Sequence, residues 1–159
     1  MKKITLTKGF ESTVDDEDFE WLSRFRWQAN LGYKPRAVRN SQGKNGAKMI
    51  YMHREIMRAR EHEVVDHING DPLDNRKGNL RLCTTHQNSF NQQLRKQNKS
   101  GYKGVFHRPD NPKKPWSVRI GFNGVGRYVG YFATKEEAAL AYNEAAKKYH
   151  GDFARLNEV

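Results

Sequence analysis

The sequence predicts an α+β protein built from short antiparallel strands and separate helices, and two stretches carry that prediction. Residues 101–159 hold three β-rich runs, Tyr102–His107, Trp116–Phe122 and Arg127–Phe132, separated by Pro/Asp/Asn and Gly/Asn turns and followed by one helical repeat. Residues 64–91 read as strand, turn-rich loop, strand and helix.

In the C-terminal stretch, Trp116, Val118, Ile120 and Phe122 alternate with Ser117, Arg119 and Gly121, so one sheet face is apolar and the other polar and basic. Thr134 opens the helix, with Glu137 three residues on completing a capping box. Ala138, Ala141, Tyr142, Ala145 and Tyr149 share one face, and small alanines let a helix lie close against a sheet. Three antiparallel strands with one helix across the back are expected. The exposed face then carries Arg108, Ser117, Arg119 and Tyr128, with Lys103 at its edge.

Toward the N-terminus the expected elements are a strand at Lys3–Leu6, a helix at Asp16–Arg24, a Gly/Asn-rich loop at Asn40–Ala47 and a helix at Ile50–Met57. The acidic island Asp15, Asp16, Glu17, Asp18 and Glu20 suits a helix N-terminus, where it complements the dipole. Gln92–Ser100 is polar and basic with Leu94 as its one apolar residue, and reads as a helix tail running into a linker. Four segments result: an N-terminal module 1–48, a central segment 49–95, a linker 96–100 and a C-terminal domain 101–159.

Composition limits what such a chain can do. With 36% apolar residues in 159, it can build one or two small cores. Apolar runs are too short for a membrane-spanning helix, and no apolar stretch follows the N-terminal Met-Lys-Lys, so a secretory signal is excluded. A single cysteine, Cys83, excludes an internal disulfide and a cysteine-built zinc site. The net charge of +11 points to a polyanionic partner. That charge divides as +5 over residues 1–95 and +6 over residues 96–159, which suggests two surfaces on one polyanion rather than one basic tail.

The densest chemistry lies in VVDHINGDPLDNRKGNLRLCTTHQNSFN, residues 64–91. The first strand ends in Asp66-His67, Asn69-Gly70-Asp71-Pro72 turns the chain, Leu80–Cys83 returns, and Thr84 or Thr85 caps a helix holding Gln87, Asn88 and Asn91. Hydrolysis of a phosphodiester needs a base for the attacking water and a cation to offset charge on the leaving oxygen. His67 suits the base. Asp66 is a hard oxygen donor suited to magnesium, and Asn88 can add a neutral oxygen to the same ion. Asn79, at the start of the second strand, can hydrogen-bond across the hairpin and hold His67. His53-Arg54 either contacts a phosphate or ends the helix packed under the hairpin, the second being favoured. His86 falls about 200° round the helix from Asn88 and is not expected to join it.

Asp66-His67, Asn79 twelve residues on and Asn88 nine further resemble the HNH nucleases with a ββα-metal core, above all the homing-type branch of phages and introns. VDHINGDPLDNRKGNLRL carries that resemblance, and LTKGFESTVDDEDFEWL and MHREIM resemble the usual leader of these nucleases. It implies His67 as general base, Asp66 and Asn88 as ligands of Mg2+ or Mn2+, and Asn79 as the residue orienting His67. Asn88 stands where the family name has His, which favours an oxygen-bound ion over zinc.

YKGVFHR, Trp116, GRYVGYF and TKEEAALAYNEAAKKYHGDFARLN resemble the ethylene-response-factor type of DNA-binding domain. By that resemblance Lys103, Arg108, Arg119 and Tyr128 face DNA. Phe106 and Gly121 replace arginines of the plant pattern and Arg119 replaces an acid, so the plant recognition sequence is not expected to carry over. Together the two resemblances imply an α+β chain with a nuclease core and a three-stranded sheet packed on one helix. Its partner would be double-stranded DNA, with no obligate protein partner, as a monomer in the cytoplasm of a bacterial or phage-infected cell. A catalytically silent DNA-binding regulator and an RNA-directed nuclease are the rival readings.

Overall fold

The computed structural model describes residues 1–43, 46–94 and 97–159, with backbone alone at 42 and 43. It is an α+β structure that divides into two compact units, Met1–Thr85 and His86–Val159.

In the first unit β1 (Lys2–Thr5) and β2 (Glu11–Val14) form an antiparallel hairpin. Helix α1 (Asp16–Leu22) follows, with Asp16, Glu17 and Asp18 in its first turn. The acidic island does more than complement that helix. Asp15 Oδ2 accepts from the Lys77 N–H at 2.7 Å, and Lys77 Nζ pairs with Glu17 and Asp18 at 2.5 and 3.1 Å, so the island also pins a distant loop. Strands β3 (Gln28–Leu31), β4 (Pro35–Gly43) and β5 (Gly46–Tyr51) make a three-stranded meander.

That meander corrects two expectations. The described residues of the expected loop are strand: Asn40, Ser41, Gln42 and Gly43 pair with Met49, Lys48, Ala47 and Gly46, because ladder hydrogen bonds outweigh weak strand propensity. Lys44 and Asn45, also part of that expected loop, lie outside the described residues. Ile50 and Tyr51 belong to β5, so α2 is only Met52–Ile56. Strands β6 (Val64–His67) and β7 (Leu80–Cys83) pair antiparallel, with Asp66 opposite Arg81 and His67 opposite Leu80. One apolar cluster runs from Ile4, Leu6 and Val14 through Leu22, Trp27, Ala29, Ala37, Met52 and Ile56 to Val65 and Leu80. The N-terminal hairpin and the β6–β7 hairpin therefore share a core.

Helix α3 (Thr85–Phe90) leads into the second unit. There β8 (Val105–His107), β9 (Trp116–Phe122) and β10 (Val125–Phe132) form an antiparallel sheet in the order β10-β9-β8. Helix α4 (Lys135–His150) begins at the expected Thr134–Glu137 capping box. Its buried face is wider than the heptad-like reading, since Ala139, Asn143, Ala146 and His150 join Ala138, Tyr142 and Ala145, while Ala141 is only half-buried. Asn123-Gly124, with φ of 52° and 75°, makes the tight β9–β10 turn, so β10 starts two residues before Arg127. Strand β8 starts late because Gly104 has φ 74° and passes under the Tyr142 ring, where a Cβ would lie 2.2 Å from that ring. Arg95 and Lys96, on which the expected linker partly falls, lie outside the described residues. Beyond them Asn98 and Ser100 tie the turn at Tyr102 with side-chain hydrogen bonds. No described helix is long and apolar enough to cross a membrane.

Candidate active site in the β6–β7 loop

The loop between β6 and β7 is built from polar side chains that replace the missing ladder bonds. Asn79 Oδ1 accepts from the Asn69 N–H at 3.0 Å, and its amide donates to the Asp74 carbonyl at 2.8 Å. The Asn79 carbonyl in turn accepts from the Ile68 N–H. Asn79 thus bonds across the hairpin as expected, but to backbone two residues beyond His67 rather than to the imidazole. The Asp74 carboxylate is held by Arg76 at 2.6 Å and by the Asn69 amide at 2.9 Å, which keeps its pKa below the ordinary range.

His67 closes β6, 9% exposed. Among its partners is Asn75: Nε2 and Asn75 Oδ1 are 3.0 Å apart. Burial holds the imidazole pKa below 6.5, while the Asn75 hydrogen bond and the charges of Asp66 and Asp71 pull it back up. A ring neutral at pH 7 is what a proton acceptor requires. Its neighbour Asp66 is 6% exposed, and Arg81 Nη2 and Nε converge on Oδ2 at 2.7 and 2.9 Å.

His53 lies edge-on to His67, ring centroids 5.0 Å apart, with Tyr51 on its other side at 5.5 Å. Burial, and then the neighbouring His67, Arg36 and Arg54, push its pKa down to about 3. Lys34 Nζ donates to the Gly70 carbonyl, placing a second cation beside the loop. Arg54 is otherwise engaged: its guanidinium donates to the Glu63 and Arg60 carbonyls at 2.6 and 2.7 Å. Those bonds suit the structural alternative for Arg54, while His53 sits against the central imidazole.

Asn88 lies half-buried on α3, in the second unit. His86, as expected, is engaged elsewhere, its Nε2 accepting from the Asn123 N–H at 3.1 Å. No group of three or more His, Cys, Asp or Glu among the described residues could hold an ion. The donors in question are one carboxylate and one amide oxygen. Each is a hard oxygen donor, which by its chemistry fits magnesium or manganese, ions that keep much of their water, and not a closed zinc site.

In the second unit, Arg119 and Tyr128 stand opposite one another on β9 and β10, both exposed, and the Tyr128 ring lies 5.2 Å from that of Tyr131. Arg108 is half-buried just beyond β8, its N–H donating to the Pro115 carbonyl. Two residues of the expected face behave differently. Ser117 is 2% exposed, covered between its pairing partners Phe106 and Tyr131. Lys103 Nζ donates to the Phe90 and Gln92 carbonyls and so caps the end of α3. Burial lowers its pKa to about 8, and these bonds set it apart from the exposed Arg119 and Tyr128.

Sequence reasoning missed Asn75. Its eight-residue separation from His67 has no period, and its other partner, Ser12, lies 63 residues away.

The family model for HNH endonucleases matches residues 51–90, from the end of β5 to the end of α3. An uncharacterised HNH endonuclease of Acanthamoeba polyphaga mimivirus is 32% identical over 158 residues, covering 96% of this chain and 77% of its own. Protein 3.8 of Escherichia phage T7 is 32% identical over 92 residues, 58% of this chain and 74% of its own. An AP2-like ethylene-responsive transcription factor of Arabidopsis thaliana is 44% identical over 54 residues, 33% of this chain but 15% of its own. The chain belongs to the HNH endonuclease family and is a nuclease of the kind that generally works with a divalent metal ion.

Proposed function

We propose that this nuclease cleaves double-stranded DNA at selected sites, with His67 as general base. His67 accepts a proton from a water molecule, whose oxygen attacks the scissile phosphorus in line and expels the 3′-oxygen. The products are a 5′-phosphate and a 3′-hydroxyl. Asp66 and Asn88 are the residues that would hold Mg2+ or Mn2+, Asp66 oriented by Arg81. When bound, the ion offsets negative charge developing at the phosphorus and on the leaving oxygen. Asn79 keeps the loop backbone that carries His67 in shape. The C-terminal sheet, through Arg119, Tyr128 and Arg108, holds the duplex, by likeness to the ethylene-responsive factor. A sheet reading a major groove favours DNA over A-form RNA, whose groove is too narrow.

The observation that carries this reading is a buried imidazole beside a buried carboxylate at the end of β6 in an HNH chain. Supercoiled plasmid incubated with wild type, His67→Ala and Asp66→Ala, with magnesium, manganese or EDTA, tests it. Cleavage by wild type alone, dependent on the ion and reduced about 10^3-fold in His67→Ala, is expected. Equal cutting by His67→Ala defeats the assignment. DNA binding with no cleavage by wild type under any of these conditions defeats the reading of a working enzyme. Nicked circles would mean one strand is cut, linear product both.

A further inference from the structure

We infer that Asn75, held from behind by Ser12, is a positioning residue that fixes His67 as its Nε2–H tautomer, so that Nδ1 takes the proton from water. The inference rests on the proposed role of His67 as general base and adds two residues to it.

The orientation of the Asn75 amide decides the matter. Asn75 is 1% exposed, and around its Nδ2 lie Ser12 Oγ at 2.7 Å, the Pro72 carbonyl at 3.5 Å and Met52 Sδ at 3.7 Å. The Pro72 carbonyl and the thioether can only accept, so this end of the amide must be the NH2 group. Ser12, itself fully buried, has one hydroxyl proton, and two acceptors stand before it, the Leu73 carbonyl at 3.0 Å and Met52 Sδ at 3.3 Å. It therefore receives from Asn75. A flipped amide would set its oxygen against the Pro72 carbonyl and Met52 Sδ, which is electrostatically unfavourable in a dry site.

With NH2 toward Ser12, Oδ1 faces His67 Nε2 at 3.0 Å as an acceptor. Nε2 must then carry the hydrogen. A neutral imidazole has one, so its lone pair is on Nδ1. The alternative tautomer would point a lone pair at the Asn75 oxygen.

Backbone bonds keep Asn75 in place. Its N–H donates to the Thr13 carbonyl at 2.8 Å, and the Thr13 N–H donates to the Leu73 carbonyl at 2.9 Å, so the loop is strapped to β2 on both sides of the amide. The N-terminal hairpin thereby contributes to the chemistry through its second strand. This differs from Asn79, which bonds only backbone groups of the loop. Asn75 bonds the imidazole itself.

Nitrogen-15 NMR of the histidine rings in the full-length, metal-free protein at neutral pH tests the assignment without recourse to cleavage. In wild type the His67 Nε2 should show the shift of a protonated nitrogen and Nδ1 that of an unprotonated one. Asn75→Leu, similar in size but without the acceptor, should give mixed tautomers. Its kcat on plasmid should fall about 10^2-fold while KM stays within about threefold. If Asn75→Leu does not fold, Asn75→Ser, too short to reach the ring, replaces it. A wild-type Nδ1–H ring overturns the inference, as does an Asn75→Leu or Asn75→Ser protein with unaltered kcat. A wild-type Nε2–H ring in a protein that cleaves no DNA leaves the tautomer assigned and overturns the nuclease reading instead.

Discussion

The two units bury polar groups in different ways. In the first, Ser12, Asp66, His67, Asp74, Asn75 and Asn79 are all buried and all belong to, or strap down, the β6–β7 loop around one imidazole. In the second, the core is alanine, valine and isoleucine under Tyr142. Its buried polar residues are scattered: Asn143 exchanges hydrogen bonds with Asn157, Ser100 ties the turn at Tyr102, and His150 bonds the Gly121 carbonyl. The reactive group sits where polar burial is dense, because a fixed imidazole needs directional partners and a dry surround. The expected DNA-holding residues, Arg119 and Tyr128, sit on an exposed face over a plain apolar core, which needs only a rigid platform.

The apolar core should be the more sensitive to added volume. Gly104→Ala puts a Cβ 2.2 Å from the Tyr142 ring and 2.8 Å from the Arg119 carbonyl at φ 74°. A loss of about 3 kcal/mol or more is expected in chemical denaturation, with hydrogen-exchange protection falling in β8–β10 and α4 but not in β6–β7. Protection lost equally in both units would break the contrast.

The polar loop should be the more sensitive to lost partners. Asn79→Ala leaves the Asn69 N–H and the Asp74 carbonyl without their partner, and about 2–3 kcal/mol of destabilisation is expected in urea titration. Cleavage should fall at least about tenfold, although Asn79 makes no side-chain bond to His67. Undiminished activity would show that the loop keeps its shape without it.

Acid should separate the units further. The His53 pKa, about 3 when folded against an ordinary 6.5, means that protons are taken up on unfolding. This contribution to stability is present above pH 6.5 and is lost as pH falls toward 3. His53→Gln cannot take up that proton, so its unfolding free energy should decline less between pH 7 and pH 5. The difference should be about 1–2 kcal/mol at pH 5, read from denaturation curves at each pH. Parallel curves would place His53 in contact with water.

The smallest effect belongs to the exposed sheet. Arg119→Ala should leave stability unchanged, weaken DNA binding about fivefold, and lower the slope of log affinity against log salt by about one. Fluorescence anisotropy over a salt series measures both quantities. An unchanged slope would remove Arg119 from the interface.

Local rules made the C-terminal unit the more legible. Alternation along β9 from Val118 onward, the Asn-Gly turn and the Thr134–Glu137 box each act within a few residues, and each is found where it was read; only Ser117 departs, buried in the sheet. The β6–β7–α3 order was legible for the same reason, since turn residues separate the two strands and two threonines precede the helical run. The β4–β5 ribbon was not. Asn, Ser, Gln and Gly prefer loops, and only pairing with Met49, Lys48 and Ala47 makes them a strand. The Lys103 hydrogen bonds were not legible either, because its spacing in the motif says nothing about the α3 carbonyls it reaches.

By itself the sequence determined the fold class, the family, the order Asp66-His67, Asn79, Asn88, and the positive charge that seeks a polyanion, because all of these depend on residue type and short spacing. Tertiary structure alone decided that residues near the N-terminus share a core with the β6–β7 hairpin, that Asn75 rather than Asn79 bonds His67, and that Ser12 stands behind it. Those contacts join segments about 60 residues apart. They exist only where packing brings two strands together and excludes water, and no local pattern encodes that meeting.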